Sequence, residues 1–323
     1  MSERLLEVND LTTSFKLQSG HVVSPVDRVS FHVDRGEVVG LVGESGCGKS
    51  MTALSLIRLV PPPGRVASGQ VLFGGRDVLA MSKQELAGIR GAHISTVFQD
   101  PLTFLNPVLT IGRQIGETVE LHKGVGKKEA YRRTLEVLEM VKIPSPERVA
   151  KSYPFELSGG MRQRVLIAIA MCCGPDLIVA DEPTTALDVT VQAQVLGLLT
   201  SLIREKQISM LLITHDMGIV ADVCDRIYVM YAGQIVESGS ARDIYYAPAH
   251  PYTRALLGSV LTIKERKDVI ASIPGVVPDI EHFPKDCRFG PRCEARCEAC
   301  KGTDPAMVQV APGHFAKCAL YGK

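Results

Sequence analysis

A glycine-rich segment that follows a short apolar run restricts the fold more than any other part of this sequence. The run Val38–Val42 is apolar and rich in β-branched residues, which is typical of a strand buried on both faces. The next eight residues, 43–50, match the pattern G-x-x-x-x-G-K-[ST], and apolar residues at helical spacing continue from 50 to 59. A strand, a glycine turn and a helix in this order predict a loop whose backbone N–H groups and helix N-terminus surround phosphates.

The residue types within this phosphate loop point to a nucleotide with a bound metal ion. Lys49 is expected to reach the β- and γ-phosphates, and the Ser50 hydroxyl is expected to ligate Mg²⁺. The alternative is a purely structural glycine turn. The candidate nucleotide-binding residues are Gly43, Glu44, Ser45, Gly46, Cys47, Gly48, Lys49, Ser50 and Met51.

An apolar run that ends in two acids forms the second candidate site. Residues 177–180 have the pattern of a buried strand, and Asp181 and Glu182 follow directly. Asp181 is expected beside the Mg²⁺, and Glu182 is expected to polarise the water that attacks the γ-phosphate. Such an acidic pair is by itself common in solvated loops, so the assignment depends on the phosphate loop. The two sites together predict a P-loop nucleotidase.

The order of strand and helix patterns predicts an α/β fold with a parallel-sheet core. Residues 5–15 and 26–33 alternate between apolar and polar side chains, which favours an antiparallel β subdomain. Short apolar runs at 177–180 and 210–213 flank a helical pattern at 191–206. Buried strands that alternate with helices are typical of a parallel sheet covered by helices, so we expect a RecA-like core.

Two regions depart from this alternation. Charged helical patterns dominate residues 83–154, including a helix over 127–142, and we expect a helical insertion over about 88–160. Another helix is expected over 161–173. Beyond about residue 260 the pattern fades into Pro, Gly and Cys. The predicted domains are therefore a nucleotide-binding domain at 1–260 and a small Cys-rich extension at 261–323.

Composition excludes several classes of protein. Lys and Arg number 36 against 35 Asp and Glu, so the formal net charge of +1 gives no support to broad nucleic-acid binding. No apolar run approaches the 18 residues of a membrane-spanning helix, and the N-terminus is polar without a secretory signal. We therefore expect a soluble, cytoplasmic chain.

The segment 157–161, Leu-Ser-Gly-Gly-Met, narrows the class further. On spacing alone, Ser158, Gly159 and Gly160 before a helix could form an anion-binding nest or an ordinary helix N-cap. The segment resembles the signature motif of the ATP-binding subunits of ABC transporters, and the resemblance covers nearly the whole chain. Met161 stands where that family more often has Gln.

The resemblance implies roles for further residues. Gln99 looks like the glutamine that senses Mg²⁺ and the attacking water and joins the helical insertion to the core. Asp188, in Ala186-Leu187-Asp188, is similar to the D-loop aspartate, and His215 is similar to the switch histidine that contacts the γ-phosphate. Phe15 is similar in position to the aromatic residue that stacks on adenine, with a core phenylalanine as the alternative.

The same resemblance implies an assembly. Two nucleotide-binding subunits pair head to tail in this family, so that the phosphate loop of one faces Ser158, Gly159 and Gly160 of the other across each ATP. A second, similar ATPase is therefore the expected partner, in a heterodimer more readily than in a homodimer. Nucleic acid is not an expected partner.

The C-terminal segments 250–257, 273–278 and 287–293 resemble the oligopeptide/dipeptide branch of importer ATPases. In that branch the cysteine spacing selects Cys287, Cys293, Cys300 and Cys318 for a four-iron, four-sulfur cluster and leaves Cys297 as a spare. Spacing alone leaves zinc equally open, because residues 297–300 form a C-x-x-C pair. The remaining cysteines are expected to be inert structural thiols: Cys47, Cys172, Cys173 and Cys224.

The resemblance thus implies an ATPase that powers peptide import from the cytoplasmic face of the inner (plasma) membrane, as a peripheral subunit. Two transmembrane permeases and an extracytoplasmic peptide-binding protein would complete the importer. Two alternatives stay open. One is an importer of nickel or another small solute from the same branch; the other is an ABC ATPase that acts on nucleic acid or ribosomes.

Overall fold

A computed structural model describes residues 3–184, 187–259 and 273–322. Its strands are β1 (Arg4–Lys16), β2 (Val22–Asp34), β3 (Val38–Val42), β4 (Arg65–Phe73), β5 (Arg76–Asp77), β6 (Ile94–Val97), β7 (Leu177–Asp181), β8 (Ser209–Thr214), β9 (Arg226–Tyr231), β10 (Gln234–Ser240), β11 (Val308–Ala311) and β12 (His314–Ala316). Its helices are α1 (Lys49–Leu56), α2 (Lys83–Ile89), α3 (Pro101–Phe104), α4 (Ile111–Lys123), α5 (Lys127–Met140), α6 (Pro146–Lys151), α7 (Gly159–Met171), α8 (Val189–Lys206), α9 (Met217–Val223), α10 (Ala241–Tyr246) and α11 (Pro251–Gly258).

The chain divides into two compact units. The first unit comprises Ala80–Leu211, with short pieces at the N-terminus and at Asp34–Gly36. The second unit comprises Arg4–Val33, Glu37–Leu79 and Leu212–Lys323. The phosphate loop and the C-terminal extension therefore belong to the second unit, and the acidic pair at the end of β7 belongs to the first.

The second unit contains an antiparallel sheet in the order β2-β1-β4-β5, in which Val8 of β1 lies opposite Val71 of β4. It also contains the strand series β11-β12-β10-β9-β3. Strands β3 and β9 run parallel with Leu41 beside Tyr228, whereas β9, β10, β12 and β11 pair antiparallel. All five residues of β3 are buried, as its apolar run predicts.

The first unit contains the parallel pair β6 and β7, in register at Ile94 and Leu177. Four helices, α3 to α6, lie between β6 and α7 in the chain, within the predicted insertion. All residues of β7 are buried, so this strand holds the acidic end of its sequence on a rigid core element. Among the described helices, none combines the length and apolar character needed to cross a bilayer.

The predicted elements are confirmed with small shifts at their ends. Helix α1 stops at Leu56 rather than at residue 59, because Arg58 adopts the left-handed conformation with a φ of 53°. The proposed domain boundary at 260/261 lies in 260–272, outside the described residues. The extension pairs with the rest of its unit through β12, where Ala316 lies opposite Glu237 of β10.

Candidate functional site

The phosphate loop connects β3 to α1 within the second unit. Lys49 is only 5% exposed, and its Nζ donates hydrogen bonds to the carbonyl oxygens of Gly43, at 2.8 Å, and Glu44, at 3.0 Å. Cys47 is also buried, which raises the pKa of its thiol. By contrast, Ser45, Gly46 and Ser50 are exposed. The loop therefore holds its own ammonium group through backbone carbonyls and leaves the residues around its tip open to solvent.

Two glycines of the loop are required by close backbone approaches. Gly48 precedes α1 with a φ of 107°, and a Cβ there would lie 2.2 Å from the carbonyl oxygen of Pro25. A Cβ at Gly43 would lie 2.1 Å from the carbonyl oxygen of Met230. Since real Cβ atoms do not approach backbone so closely, only glycine fits at both positions. Backbone packing therefore requires glycine at the same positions where the phosphate-loop pattern has it.

Two residues that the sequence analysis did not identify hold Glu44. Its backbone N–H donates to Oη of Tyr252 at 2.8 Å. Its carboxylate accepts two hydrogen bonds from Arg292, at 2.8 Å from Nη1 and 3.1 Å from Nη2. These partners lie 208 and 248 residues away along the chain, so no local pattern could have revealed them.

The other predicted residues of the second unit are positioned by β1 and β8. Phe15 is half-buried on β1, and its ring lies so near Gly64 that a Cβ there would be 2.4 Å from its Cζ. His215 follows β8 at an exposed position. The next residue, Asp216, caps α9 by accepting the N–H of Gly218 at 2.8 Å. His215 thus lies in the short connection between the buried strand β8 and the capped helix α9.

In the first unit, the structure brings Gln99 and Glu182 together. Asp181 ends β7 and is 8% exposed, while Glu182 turns out of the strand with a φ of 45°. Nε2 of Gln99 donates a hydrogen bond to Oε2 of Glu182 at 3.1 Å. The acidic pattern predicted Glu182 and the resemblance implied Gln99, and the structure makes the two residues direct partners.

The segment around Ser158 is the start of α7. Ser158 caps that helix by accepting the N–H of Met161 at 3.4 Å. A Cβ at Gly160 would lie 2.8 Å from Cγ1 of Val191 on α8, so this glycine serves helix packing. Gly159 is exposed. The start of α7 is therefore capped and exposed, and the anion contact that the resemblance implies there stays a prediction.

The segment assigned to the D-loop comprises residues 186–188, of which the structure describes Leu187 and Asp188. Ala186 lies outside the described residues. Asp188 caps α8 by accepting the N–H of Val191 at 3.0 Å. Its carboxylate therefore has a local structural role at the start of α8.

The five C-terminal cysteines belong to the second unit, and all are free thiols. Cys300 and Cys318 are buried, Cys287 and Cys293 are partly buried, and Cys297 is exposed. The sulfur atoms of Cys297 and Cys300 lie 3.7 Å apart. Short 3-10 turns at Gly290–Arg292 and Glu298–Cys300 carry two of the thiols at or next to their ends.

These thiols influence one another. Burial raises the pKa of Cys287, and the neighbouring Cys318 and Cys300 raise it further. Burial likewise raises the pKa of Cys318, to which Cys300, Cys293 and Cys297 add. Across the described parts of the chain, however, no three His, Cys, Asp or Glu side chains are arranged as a ligand set for a metal ion. The donor chemistry suits a thiolate-binding metal, whereas the arrangement of the free thiols is not that of a formed site.

Two family models match this chain. Residues 26–185 match the ABC transporter family, and residues 236–300 match the C-terminal region of oligopeptide/dipeptide transporters. The first match spans the phosphate loop, the signature segment and the acidic pair at the end of β7. The second spans the segments that hold Tyr252 and Arg292.

Relatives match over nearly the full length. The probable peptide ABC transporter ATP-binding protein y4tR of Sinorhizobium fredii is 46% identical over 98% of this chain and 95% of its own length. The oligopeptide transport ATP-binding protein AppD of Bacillus subtilis is 46% identical over 98% of this chain and 97% of its own length. The dipeptide transport ATP-binding protein DppD of Escherichia coli is 45% identical over 97% of this chain and 96% of its own length.

Among solved structures, the ATP-binding cassette MJ0796, described as a dimer in a post-hydrolysis state bound to ADP and phosphate, has a TM-score of 0.65. It is 28% identical to this chain and covers 73% of it and 99% of its own length. The fold and the near-full-length relatives agree. The chain therefore belongs to the family of ABC transporter ATP-binding subunits, in its oligopeptide/dipeptide branch.

Proposed function

We propose that this ABC-type ATPase powers the import of di- and oligopeptides through a membrane transporter. The observation that carries the proposal is the phosphate loop with its buried Lys49, in a chain that matches peptide-transport ATP-binding proteins over 97–98% of its length. The curated relatives act in peptide transport by name, and this chain has their C-terminal region as well as their cassette.

ATP binding is assigned to the second unit's loop. The triphosphate takes the place of the Gly43 and Glu44 carbonyls as the partner of Lys49, while loop N–H groups and the N-terminus of α1 supply further donors. Ser50 is exposed, and its hydroxyl is the proposed Mg²⁺ ligand from this unit. Phe15 is the proposed adenine-stacking residue and His215 the proposed γ-phosphate contact.

Water activation is assigned to the first unit. Glu182 is the proposed general base, and Gln99 orients it through the 3.1 Å hydrogen bond. Asp181, at the buried end of β7, and Gln99 are the proposed Mg²⁺ ligands from this unit. Mg²⁺, when bound, neutralises charge that develops on the phosphates.

A second ATPase subunit completes the proposed catalytic assembly. Ser158 and Gly159 are exposed at the start of α7, where backbone N–H groups suit a phosphate. They are proposed to contact the ATP held by the partner's phosphate loop, together with Gly160 and Asp188. ATP then acts as the link between two subunits, and its hydrolysis releases them. The proposed pairing is a heterodimer with a similar ATPase.

The remaining partners are two transmembrane permeases and an extracytoplasmic peptide-binding protein, with this chain at the cytoplasmic face of the inner membrane as a peripheral subunit. The support is the named activity of the relatives. The proposed domains are the ATP-binding domain at 1–260, with its helical insertion at 88–160, and the extension at 261–323.

A metal cofactor is proposed for the extension. Cys287, Cys293, Cys300 and Cys318 would hold a four-iron, four-sulfur cluster, with zinc as the alternative metal. The support is that these four cysteines lie in one segment of the second unit, where Cys300 and Cys318 are buried and Cys287 and Cys293 are partly buried. When bound, such a metal would supply folding energy to this small extension.

The test of the proposed function has two stages. The purified chain is titrated with ATP, where Lys49→Ala should abolish binding and Lys83→Ala, at an exposed lysine of α2, should not. The chain is then reconstituted with permeases and binding protein in vesicles, where di- and oligopeptides should enter only with ATP. Uptake of nickel but not of peptides would contradict the peptide assignment, and retained ATP binding in Lys49→Ala would contradict the nucleotide site.

A further inference from the structure

The C-terminal extension reaches the phosphate loop through one buried guanidinium. Arg292 lies at the end of the 3-10 turn Gly290–Arg292, and its side chain is 5% exposed. Its Nη1 and Nη2 donate to the two carboxylate oxygens of Glu44 at 2.8 and 3.1 Å. This bidentate geometry is the strongest and most directional that an arginine makes with a carboxylate.

The remaining donors of Arg292 are also occupied. Nε donates to the carbonyl oxygen of Pro274 at 2.9 Å, and Nη2 donates to that of Ile273 at 3.4 Å. Nη1 also donates to Oη of Tyr231 at 3.3 Å. With the two bonds to Glu44, all five guanidinium N–H groups have an acceptor. The side chain is therefore fixed from three parts of the chain at once.

An aromatic cluster supports the same contact. Phe289, three residues before Arg292, packs against Tyr231 and Tyr252 with ring centroids 5.2 and 5.3 Å apart. Tyr252 in turn accepts the backbone N–H of Glu44 at 2.8 Å. The extension thus contacts both the side chain of Glu44 and the residue that holds its backbone.

The charge of Glu44 explains why this contact matters. A loop whose proposed ligand is a triphosphate gains nothing from a carboxylate of its own, because like charges repel. Glu44 is the only acidic residue among positions 43–50. Its pairing with Arg292 makes the local charge neutral and keeps the carboxylate in one orientation.

We propose that Arg292 is a positioning residue for the phosphate loop: it neutralises and orients Glu44, and thereby makes nucleotide affinity depend on the C-terminal extension. This inference rests on the proposed binding of nucleotide phosphates at residues 43–50. Arg292 acts through Glu44 and is not assigned any contact with the nucleotide.

The test is a double-mutant cycle on ADP affinity, measured by calorimetry on the full chain. Arg292→Gln leaves the Glu44 charge unpaired, so ADP should bind roughly tenfold more weakly, about 1.4 kcal/mol. Glu44→Gln leaves the guanidinium charge instead and should bind ADP roughly threefold more tightly, by the same electrostatic argument. The double variant restores neutrality and should return close to the wild-type affinity.

The matched control is Arg296→Gln. Arg296 belongs to the same extension and pairs with Asp286 at 2.9 Å, so this variant removes an ion pair of the extension without reaching the loop. Its ADP affinity should equal that of the wild type. If Arg292→Gln proves unstable, the inference is decided by Glu44→Gln, which leaves the extension intact, and weaker binding there overturns it.

The remaining outcomes separate this inference from the proposed function. Wild-type affinity in Arg292→Gln, or no recovery in the double variant, overturns the positioning role and leaves the nucleotide site standing if Lys49→Ala has lost binding. Unchanged ADP affinity in Lys49→Ala overturns the proposed site itself.

Discussion

Gln99 donates a hydrogen bond from its Nε2 to Oε2 of Glu182 over 3.1 Å. Glu182 is the residue that turns out of β7 with a φ of 45°, whereas Gln99 comes from the segment between β6 and α3. The amide therefore fixes the orientation of the proposed base before any substrate is present. A group held in one orientation needs no rearrangement at the moment of reaction.

The first prediction concerns this pair. Glu182→Gln should reduce the rate of ATP hydrolysis by roughly 10²–10⁴-fold, because an amide cannot accept the proton of the attacking water. ATP affinity should survive, since the phosphate loop is unchanged. Gln99→Ala should lower the rate as well, through loss of orientation. The measurement is single-turnover hydrolysis beside equilibrium ATP binding.

Two surface variants serve as controls for that experiment. Glu205→Gln on α8 and Gln84→Ala on α2 change exposed side chains of the same types and should hydrolyse ATP normally. A Glu182→Gln enzyme that turns over at the wild-type rate would remove Glu182 from the role of base.

The second prediction concerns the contact between α7 and α8. Gly160→Ala places a Cβ 2.8 Å from Cγ1 of Val191, so the helices must shift and stability should fall by about 1 kcal/mol. Gly197→Ala is the matched control, because nothing lies within 4 Å of its Cβ position on α8. That control should raise stability by about 0.5–1 kcal/mol, since alanine favours helix. Urea unfolding measures both.

A compensating variant sharpens the second prediction. Val191→Ala removes the atom that the new Cβ meets, so the Gly160→Ala/Val191→Ala protein should regain part of the loss. Equal instability of the single and double variants would show that the contact with Val191 is not the cause.

The third prediction concerns pH. Burial lowers the pKa of His250 to about 3, and its Nδ1 accepts the N–H of Tyr252 at 3.0 Å at the start of α11. The unfolded histidine titrates near 6.5, so between about pH 6.5 and 3 the unfolded state binds one proton more. Stability should therefore fall as the pH falls through this window, by at most about 1.4 kcal/mol per pH unit from this residue.

His250→Asn tests the assignment, because asparagine can still cap α11 but does not titrate. Its stability should depend less steeply on pH between about 3 and 6.5 than that of the wild type. The exposed His282→Asn protein is the control and should follow the wild-type curve. Parallel curves for all three proteins would contradict a buried neutral His250.

The fourth prediction concerns the cysteines. Protein purified without oxygen should be brown, with about four iron and four sulfide per chain. Cys287→Ser or Cys318→Ser should remove the colour and loosen the extension, while Cys297→Ser should keep the colour and Cys224→Ser serves as a thiol control. Elemental analysis and visible absorption measure this.

Two outcomes would change the metal assignment. Colourless protein with one zinc would replace iron and sulfide by zinc. Loss of colour in Cys297→Ser but not in Cys300→Ser would exchange the fourth ligand. The 3.7 Å separation of these two sulfurs makes that exchange the sharpest test of the predicted spacing.

Local patterns predicted most of the fold and named most residues of the candidate site. The apolar run of β3, the glycines of the phosphate loop and the acidic end of β7 are each a continuous stretch of a few residues. Hydrophobic periodicity and turn-forming residues within such short stretches predict local structure from sequence alone. For the same reason, the ends of α5 and α8 were predicted within two residues of Met140 and Val189.

Tertiary structure alone decided which distant residues meet. Glu44 meets Arg292 across 248 residues, Gln99 meets Glu182 across 83, and Gly160 meets Val191 through the packing of two helices. A sequence pattern reports periodicity over neighbouring residues, whereas such contacts depend on how whole elements pack and on which charge must be neutralised when it is buried. The sequence by itself thus determined the phosphate loop and its class of ligand, and the folded chain determined that its one carboxylate is held by the C-terminal extension.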